Sequence, residues 1–310
     1  MPTDPPDAPQ PDQPDQPDVP LRAALFLRGD AERHLARLDA VDADAVVVDL
    51  EDAVDPAGKD AARALVAEHL RPRPRGRALW VRVNAATGPV VDLDLDAGLW
   101  PCTSGVALPK LQDPAELVLL DAALARWEAA RGVPVGTTGV LGMVETAAGV
   151  LALPAVLAAR PARPLRLAFG PADYAAERGL AVEAALPALE HARAALVLHS
   201  VAAGLPAPLD GPWMRVGDDA GLAADSRRSA GHGFGGRLAI HPGQVPVVRA
   251  AYGGGEDLER ARAVVAAWAA RPAGTGSVRV GDEFVDAPVH AAAAALLAAT
   301  GEADRTGERP

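Results

Sequence analysis

The stretch from residue 43 to residue 63 reads ADAVVVDLEDAVDPAGKDAAR, and it carries the clearest indication of the fold. An apolar run, Ala45–Leu50, is rich in β-branched residues and predicts a buried strand. Three carboxylates, Asp49, Glu51 and Asp52, close that run, and a segment of helical composition completes the stretch. A buried strand that leads into a helix is typical of one unit of a parallel α/β sheet.

The same pattern recurs along the chain, because short apolar runs alternate with longer, alanine-rich stretches of helical composition. The other runs are Ala23–Leu27, Ala78–Val83, Gly105–Leu108, Gly139–Val144, Leu165–Phe169, a weaker one near Trp213–Val216, and Leu238–Ile240. The helical stretches are Ala31–Val41, Lys59–His69, Pro114–Ala130, Ala147–Ala159 and Pro187–Ala203. Seven or eight such units over about 250 residues predict an α/β fold of the TIM (β/α)₈ barrel type. No GxGxxG follows the first run, which argues against a dinucleotide-binding sheet.

The ends of the chain differ in composition from this middle region. Residues 1–20 hold eight prolines and five aspartates, and such a segment lacks the apolar surface that would offset its ordering entropy. We therefore expect a disordered acidic tail at residues 1–20 and a barrel at residues 21–250. Residues 251–300 should form a C-terminal helical extension that barrel closure does not need, and residues 301–310 should fray.

Composition excludes several classes of function. The formal net charge of −11 argues against a nucleic-acid partner, which normally requires a basic surface. No apolar run approaches the roughly 20 residues that span a bilayer, and the first residues lack a signal-peptide pattern. A single cysteine, Cys102, excludes an internal disulfide framework and fits a reducing compartment. We expect a cytoplasmic protein with neither a membrane nor a nucleic-acid partner.

Polar residues close the apolar runs, and in a TIM barrel the chemistry lies where the strands end. Asp49 would be costly to bury without a cation, and alternation places Asp49 and Glu51 on one side of the strand. A solvated loop with a helix cap is the alternative. Arg82 lies inside the third run, so its guanidinium either binds an anionic ligand or forms a buried ion pair, for example with Asp49. Both interpretations can hold together.

Two further carboxylates follow neighbouring runs. Glu145 closes the fifth run and Asp173 follows the sixth. Adjacent strands lie about 5 Å apart, so the two side chains could meet over the barrel mouth. Two carboxylates completed by water and ligand oxygens make a typical Mg²⁺ site, whereas helix capping is the alternative for each residue taken alone. Lys110 closes the fourth run and suits either a pairing with the acidic cluster or an exposed position.

Together these segments resemble the citrate lyase β-subunit-like family, within the HpcH/HpaI aldolase superfamily that includes malyl-CoA and citramalyl-CoA lyases. The matching pieces are LFLRGDAERHLARL, ADAVVVDLEDAVDPAGKDAAR, VRVNAATG, GVALPK, VETAAGV, FGPADYAAERG, GRLAIHPGQ and GDEFVDAP. The resemblance covers about residues 21–290. It implies a TIM barrel, a bound Mg²⁺ (or Mn²⁺ in its place), and assembly as a homotrimer or hexamer.

The implied activity is cleavage of a β-hydroxyacyl thioester, of the citryl-CoA, malyl-CoA or citramalyl-CoA type, into an acyl-CoA and an α-keto acid. The chemistry would be a retro-Claisen or retro-aldol reaction. One alternative is a citrate lyase β subunit whose substrate is carried by an acyl carrier protein. A second alternative is a pyruvate-type class II aldolase that uses the same metal site without CoA.

The resemblance also implies roles for individual residues. Glu145 and Asp173 match the metal ligands, with Glu145 also at the substrate, and Arg82 matches the arginine that holds substrate oxygens. Asp286, in FVDAP, matches a catalytic aspartate that the C-terminal segment of a neighbouring subunit contributes. The candidate catalytic residues are therefore Arg82, Asp286, Asp49 and Glu51.

Three remaining positions complete the resemblance. Asp52 joins Asp49 and Glu51 among the carboxylates that surround the metal in the family. Lys59 and Arg63 fall on a K-x-x-x-R stretch, for which contacts with substrate phosphate or a contribution to the charge of the site are the implied roles.

Overall fold

The computed structural model describes residues 21–84, 86, 90–182, 186–272 and 274–299. They divide into two compact units, which meet in sequence between residues 254 and 255. In the first unit eight parallel strands close into a barrel in sequence order, so the prediction of a TIM barrel is confirmed. The predicted tails at residues 1–20 and 301–310 lie outside the described residues.

Helices follow the barrel strands along the chain. The strands are β1 (Ala23–Arg28), β2 (Ala45–Asp49), β3 (Ala78–Arg82), β4 (Gly105–Leu108), β5 (Gly139–Val144), β6 (Leu165–Phe169), β7 (Leu209–Asp210) and β8 (Gly236–Ala239). The helices are α1 (Glu32–Leu35), α2 (Lys59–Leu70), α3 (Val90–Gly98), α4 (Pro114–Ala130), α5 (Ala147–Ala158), α6 (Pro171–Ala176), α7 (Leu186–Ala202), α8 (Asp219–His232) and α9 (Gln244–Tyr252). Short 3₁₀ helices span Leu38–Ala40 and Pro56–Gly58. Among the described residues, no helix combines the length and apolarity needed to cross a membrane.

Alternation along the strands places the functional side chains at one end of the barrel. The interior is filled by small and branched apolar side chains from all strands except β3, whose Ala78 and Trp80 pack against them half-buried. Residues two positions apart share a face of a strand. The inward row of Val47 therefore continues to Asp49, and the inward row of Met143 continues to Glu145. The outward rows pack in two further apolar clusters.

The seventh strand lies at a position that the sequence did not predict. It was expected near Trp213–Val216, but β7 is Leu209–Asp210, and Trp213 packs in an apolar cluster instead. A two-residue strand that ends in a buried acid carries no apolar run. The eighth strand is also displaced, from Leu238–Ile240 to Gly236–Ala239, because Arg237 is buried within it.

Buried ion pairs hold β7 in place. Arg193, Asp210, Asp225 and Arg237 are all buried, none more than 3% exposed. The Arg193 guanidinium lies 2.9 Å from an Asp210 oxygen and 2.7 Å from an Asp225 oxygen. Arg237 lies 2.8 Å from Asp210 and donates to the carbonyl of Gly211 at 2.8 Å. Two positive and two negative charges thus compensate each other, which isolated buried charges could not do.

Replacing Asp225 by asparagine should lower the free energy of unfolding by about 3–5 kcal/mol, because the two buried guanidinium groups would then share a single buried carboxylate, that of Asp210. Urea unfolding followed by circular dichroism measures the change. Asp219→Asn, at an exposed position of the same helix, is the control and should cost less than about 1 kcal/mol. Equal losses in the two variants would contradict a stabilising role for the buried pairs.

The second unit contains α10 (Gly255–Ala269), β9 (Ser277–Val280), β10 (Glu283–Asp286) and α11 (Ala287–Ala299). Its core consists of Leu258, Ala261, Val264, Val285, Ala293 and Leu297. The extension therefore has the expected helices but also an antiparallel hairpin, which was not predicted. The turn Gly281-Asp282 explains the hairpin, since Gly281 has a φ of 58° and such two-residue turns favour glycine.

Candidate active site

A buried ion pair joins the ends of β2 and β3 at the barrel mouth. Asp49 and Arg82 are register partners, and Asp49 is 2% exposed. Arg82 donates from Nε to Asp49 Oδ1 at 2.7 Å and from Nη2 to Oδ2 at 2.5 Å. The backbone amides of Glu51 and Ala53 also donate to Asp49, at 2.8 and 3.1 Å. Asp49 thus serves to hold Arg82.

Glu51 extends this pair into a network. Its carboxylate lies 3.2 Å from Nη1 of Arg82 and 2.7 Å from Nζ of Lys110. Burial raises the pKa of Glu51, and the hydrogen bond from Lys110 opposes that rise. Burial alone would lower the pKa of Arg82, but its contacts with Asp49 and Glu51 outweigh burial and raise that pKa. Arg82 therefore stays positively charged.

Lys110 pairs with the acidic cluster, as one of its two interpretations predicted. Besides its contact with Glu51, Nζ lies 3.2 Å from a carboxylate oxygen of Asp52. The residue has a φ of 50°, in the left-handed region that residues other than glycine seldom adopt. Such strain costs on the order of 1–3 kcal/mol and tends to occur at functional sites. The backbone of Lys110 is therefore strained where the side chain reaches the network.

Glu145 is a buried carboxylate with an unused oxygen. It is 1% exposed, and among the described residues its Oε2 has no hydrogen-bond partner. Burial raises the pKa of Glu145 to about 8; the charge of Arg82 opposes this rise, and the charges of Asp173 and Glu51 add to it. A cation bound beside this carboxyl group would stabilise its charged form.

A close backbone approach makes room for Glu145. Gly170 follows β6, and its amide donates to the carbonyl of Val144 at 3.0 Å. A Cβ atom at position 170 would lie 2.4 Å from Cγ of Glu145, which no side chain could accommodate without displacing the carboxylate. Sequence reasoning missed this role of Gly170, and a glycine directly after a buried strand was the available signal.

Asp173 lies in the first turn of α6 and is half-buried. The alternative of helix capping fails for both carboxylates. Gly170 occupies the N-cap of α6, while Thr146 caps α5 and accepts a hydrogen bond from the Gly149 amide at 2.9 Å. The negative charge of Asp173 adds to the rise in the pKa of Glu145.

This donor set fits Mg²⁺. No group of three or more His, Cys, Asp or Glu side chains in the described part of the chain is placed to hold a metal ion. Mg²⁺ keeps several waters and usually takes one or two protein carboxylates, so the pair Glu145 and Asp173 suffices. The unpartnered Oε2 of Glu145 is the observation that favours such an occupant.

Phe26 is a further member of the mouth that sequence reasoning missed. Its ring lies on the inward row of β1, with the Arg82 guanidinium carbon 4.9 Å from the ring centroid. The ring attracts the positive charge of Arg82 and limits the motion of the guanidinium group. The signal was its position in the alternating pattern of the first strand.

Asp286 belongs to the second unit, where it closes β10. It is half-buried, and its Oδ1 accepts a hydrogen bond from the Val289 amide at 3.2 Å, in the first turn of α11. The structure thus places the six candidate residues in two sets, with Asp286 in the extension and the other five at the barrel mouth.

Comparison with known proteins finds several chains of one family. A citrate lyase subunit beta-like protein of Deinococcus radiodurans is 34% identical over 297 residues, covering 89% of this chain and 96% of the relative. An L-malyl-CoA/beta-methylmalyl-CoA lyase of Cereibacter sphaeroides is 31% identical over 292 residues, covering 86% and 90%. The crystal structure of CitE from Mycobacterium tuberculosis with magnesium, acetoacetate and coenzyme A matches with a TM-score of 0.73 at 30% identity, covering 92% of this chain and 100% of that one. The family model for HpcH/HpaI aldolase/citrate lyase matches residues 22–242, and the chain therefore belongs to that family.

Proposed function

We propose that this chain is a Mg²⁺-dependent carbon–carbon lyase that cleaves a β-hydroxyacyl-CoA thioester into an acyl-CoA and an α-keto acid. The observation that carries the proposal is the buried carboxyl group of Glu145, directly after β5, whose Oε2 atom has no hydrogen-bond partner among the described residues. Membership of a family that includes malyl-CoA lyases supports the same chemistry.

Glu145 and Asp173 would hold the metal, which when bound supplies positive charge to the oxygen atoms of the keto-acid half of the substrate. Arg82 would bind those oxygens as well. A guanidinium carries five N–H groups, and the contacts with Asp49 and Glu51 use one on each nitrogen. One N–H on each of Nη1 and Nη2 remains for the substrate. Preorganised donors of this kind act most strongly where charge develops.

The reaction breaks the bond between the hydroxyl-bearing carbon and the α-carbon of the thioester. The hydroxyl group would give its proton to solvent water and become the keto carbonyl, while the electron pair of the broken bond stays on the α-carbon. That carbon must then take up a proton to give the acyl-CoA. Asp286 would hold this proton and deliver it from its Oδ2 atom, and the reverse reaction would return it.

Asp286 would reach the site from a neighbouring subunit, which implies a homotrimer or hexamer. The family resemblance supports this arrangement, and residues 255–272 and 274–299 belong to a compact unit with a core of its own. The single cysteine, Cys102, is free and buried, which supports a reducing, cytoplasmic location.

Replacing Arg82 by lysine should lower kcat for the cleavage by about 10²–10³-fold, as the loss of one preorganised donor does elsewhere. Lysine keeps the charge that Asp49 needs, but it has only three N–H groups, so replacing the three carboxylate contacts of Arg82 would leave no donor for the substrate. Steady-state kinetics gives kcat, and thermal unfolding checks that the variant folds. A variant with unchanged kcat would remove Arg82 from the chemistry.

A substrate panel tests the proposed function directly. Citryl-CoA, malyl-CoA and citramalyl-CoA would each be incubated with the full-length protein and Mg²⁺, and release of the keto acid followed as its phenylhydrazone. We expect release from at least one thioester, its loss with EDTA, and recovery with Mg²⁺ or Mn²⁺. Turnover only of the matching acyl-carrier-protein thioesters would identify a citrate lyase β subunit. Turnover only of pyruvate with an aldehyde would identify an aldolase.

A further inference from the structure

A second set of hydrogen bonds lies behind the Arg82 network and fixes the turn after β2. The ammonium group of Lys59, at the start of α2, donates to the carbonyl of Leu50 at 2.7 Å and to the carbonyl of Glu51 at 2.5 Å. The side-chain amide of Asn84 donates to the same Leu50 carbonyl at 3.2 Å. Two side chains from different elements thus hold one short piece of backbone.

Asp94 holds Asn84 directly and is linked to the helix of Lys59 through Arg63. It lies on α3 and is 0% exposed. Its Oδ2 accepts hydrogen bonds from the backbone and side-chain amides of Asn84 at 2.7 and 2.8 Å, and its Oδ1 accepts one from Nε of Arg63 at 2.7 Å. Arg63 is on α2, one turn after Lys59. The bonds therefore form a closed ring through α2, α3 and the ends of β2 and β3.

The Leu50–Glu51 backbone that these bonds fix is the segment that positions the carboxylates in contact with Arg82. The amide of Glu51 donates to Asp49 at 2.8 Å, and the side chain of Glu51 contacts Arg82 and Lys110. A shift of the Leu50–Glu51 turn would therefore move both carboxylates that orient the guanidinium. Misplacement by about 1 Å can cost about 10²-fold in rate.

We propose that Lys59, Asn84 and Asp94 are positioning residues that fix the orientation of Arg82 through the Leu50–Glu51 turn. The proposal rests on the lyase function proposed above. It assigns Lys59 a structural task at the site in place of the contact with substrate phosphate that the family resemblance implied. Two Lys59 protons are engaged by backbone carbonyls, and Arg63 is engaged by Asp94 and Asp60.

A binding role would remain open to these residues sterically, because Lys59 and Arg63 line a cleft of about 580 Å³. The cleft has mixed charge, however, since Glu51, Asp52 and Asp60 line it too. A phosphate group would meet three carboxylates there. The two roles differ in their kinetic signature, because a positioning residue affects kcat and a phosphate contact affects KM for the CoA thioester.

The test compares Lys59→Met, Lys59→Arg and Asp94→Asn with Glu68→Gln, an exposed position on α2 that serves as the control. We expect Lys59→Met and Asp94→Asn to lower kcat by about 10- to 100-fold with KM within about twofold of its original value. Lys59→Arg should recover most of kcat, because it restores donors to both carbonyls. A tenfold rise in KM with kcat unchanged would overturn the proposal in favour of phosphate binding.

A spectroscopic measurement decides the point independently of turnover. In ¹⁵N-arginine-labelled protein, the Nε–H signal of Arg82 reports on its bond to Asp49, and Arg82→Lys identifies that signal by its disappearance. Lys59→Met should shift or broaden the signal and speed its exchange with water, while Glu68→Gln should leave it unchanged. An unaltered signal in Lys59→Met would overturn the positioning role. If the unmodified protein cleaved no thioester, the proposed function would fail and this signal alone would decide the positioning role.

Discussion

Replacing Glu145 by glutamine is expected to weaken Mg²⁺ binding by more than about 100-fold and to abolish turnover with it. Glutamine has nearly the same shape, so the space above Gly170 stays filled, but the negative charge that a metal requires is gone. Even residues that only support a metal ligand cost about 10- to 100-fold in affinity when they are replaced, so a direct ligand should cost more. Isothermal titration calorimetry with Mg²⁺ measures the affinity.

The stability of this variant should move in the opposite direction. Burial raises the pKa of Glu145 to about 8, which means that without a metal the protein favours the neutral form of this side chain. At pH 9 the unaltered protein must bury a charged carboxylate at position 145, which lowers its stability. Glutamine is neutral and avoids this cost, so the metal-free variant should unfold at a higher temperature than the unaltered metal-free protein. Glu68→Gln, exposed on α2, is the control and should change neither quantity. Unchanged Mg²⁺ affinity in Glu145→Gln would exclude this residue as a ligand.

Replacing Asp286 by asparagine should lower kcat by about 10²–10⁴-fold, the usual contribution of a positioned proton donor. Mg²⁺ affinity should stay nearly unchanged, since Asp286 belongs to the extension and the proposed ligands belong to the barrel. The asparagine oxygen can still accept the hydrogen bond from Val289, so α11 should keep its first turn. Single-turnover kinetics with the best substrate of the panel measures the effect, and calorimetry measures the affinity.

Mixing two variants of strongly reduced activity tests whether Asp286 acts on the site of another subunit. Asp286→Asn keeps a complete barrel, and Arg82→Lys keeps a complete extension. Subunits exchanged between the two should form sites with all the required groups, and activity should return. If subunits exchange but activity does not return, Asp286 acts on the site of its own subunit. Asp282→Asn, exposed in the hairpin turn, is the control and should remain fully active.

Much of the barrel could be predicted from the sequence because its strands are buried on both faces and therefore read as apolar runs. The bounds of β4, β5 and β6 coincide with the predicted runs. The predicted positions of β7 and β8 were wrong, because the buried residues in these two strands include charged side chains that compensate each other. Asp210 and Arg237 are fully buried yet polar, so hydropathy could not locate β7 or the start of β8.

The candidate site shows the same division. The pairing of Asp49 with Arg82 could be expected, because each closes or ends a buried strand and neither can be buried alone. The choice between pairing and exposure for Lys110 could not be made, since it depends on a left-handed backbone conformation that the residue type disfavours. The engagement of Lys59 by backbone carbonyls left no pattern in the sequence, because a carbonyl is present at every residue.

The two-residue strand β7 makes one seam of the barrel weaker than the others. A single residue pair joins it to β6 and two pairs join it to β8, so few interstrand hydrogen bonds close the barrel there. Amide protons along this seam should be the first of the barrel strands to exchange with deuterium. A chain cut between α7 and β7 would yield two fragments that meet along this seam and along the pairing of β8 with β1, and at this seam the ion pairs of Arg193 with Asp210 and Asp225 would join them besides the single β-pair.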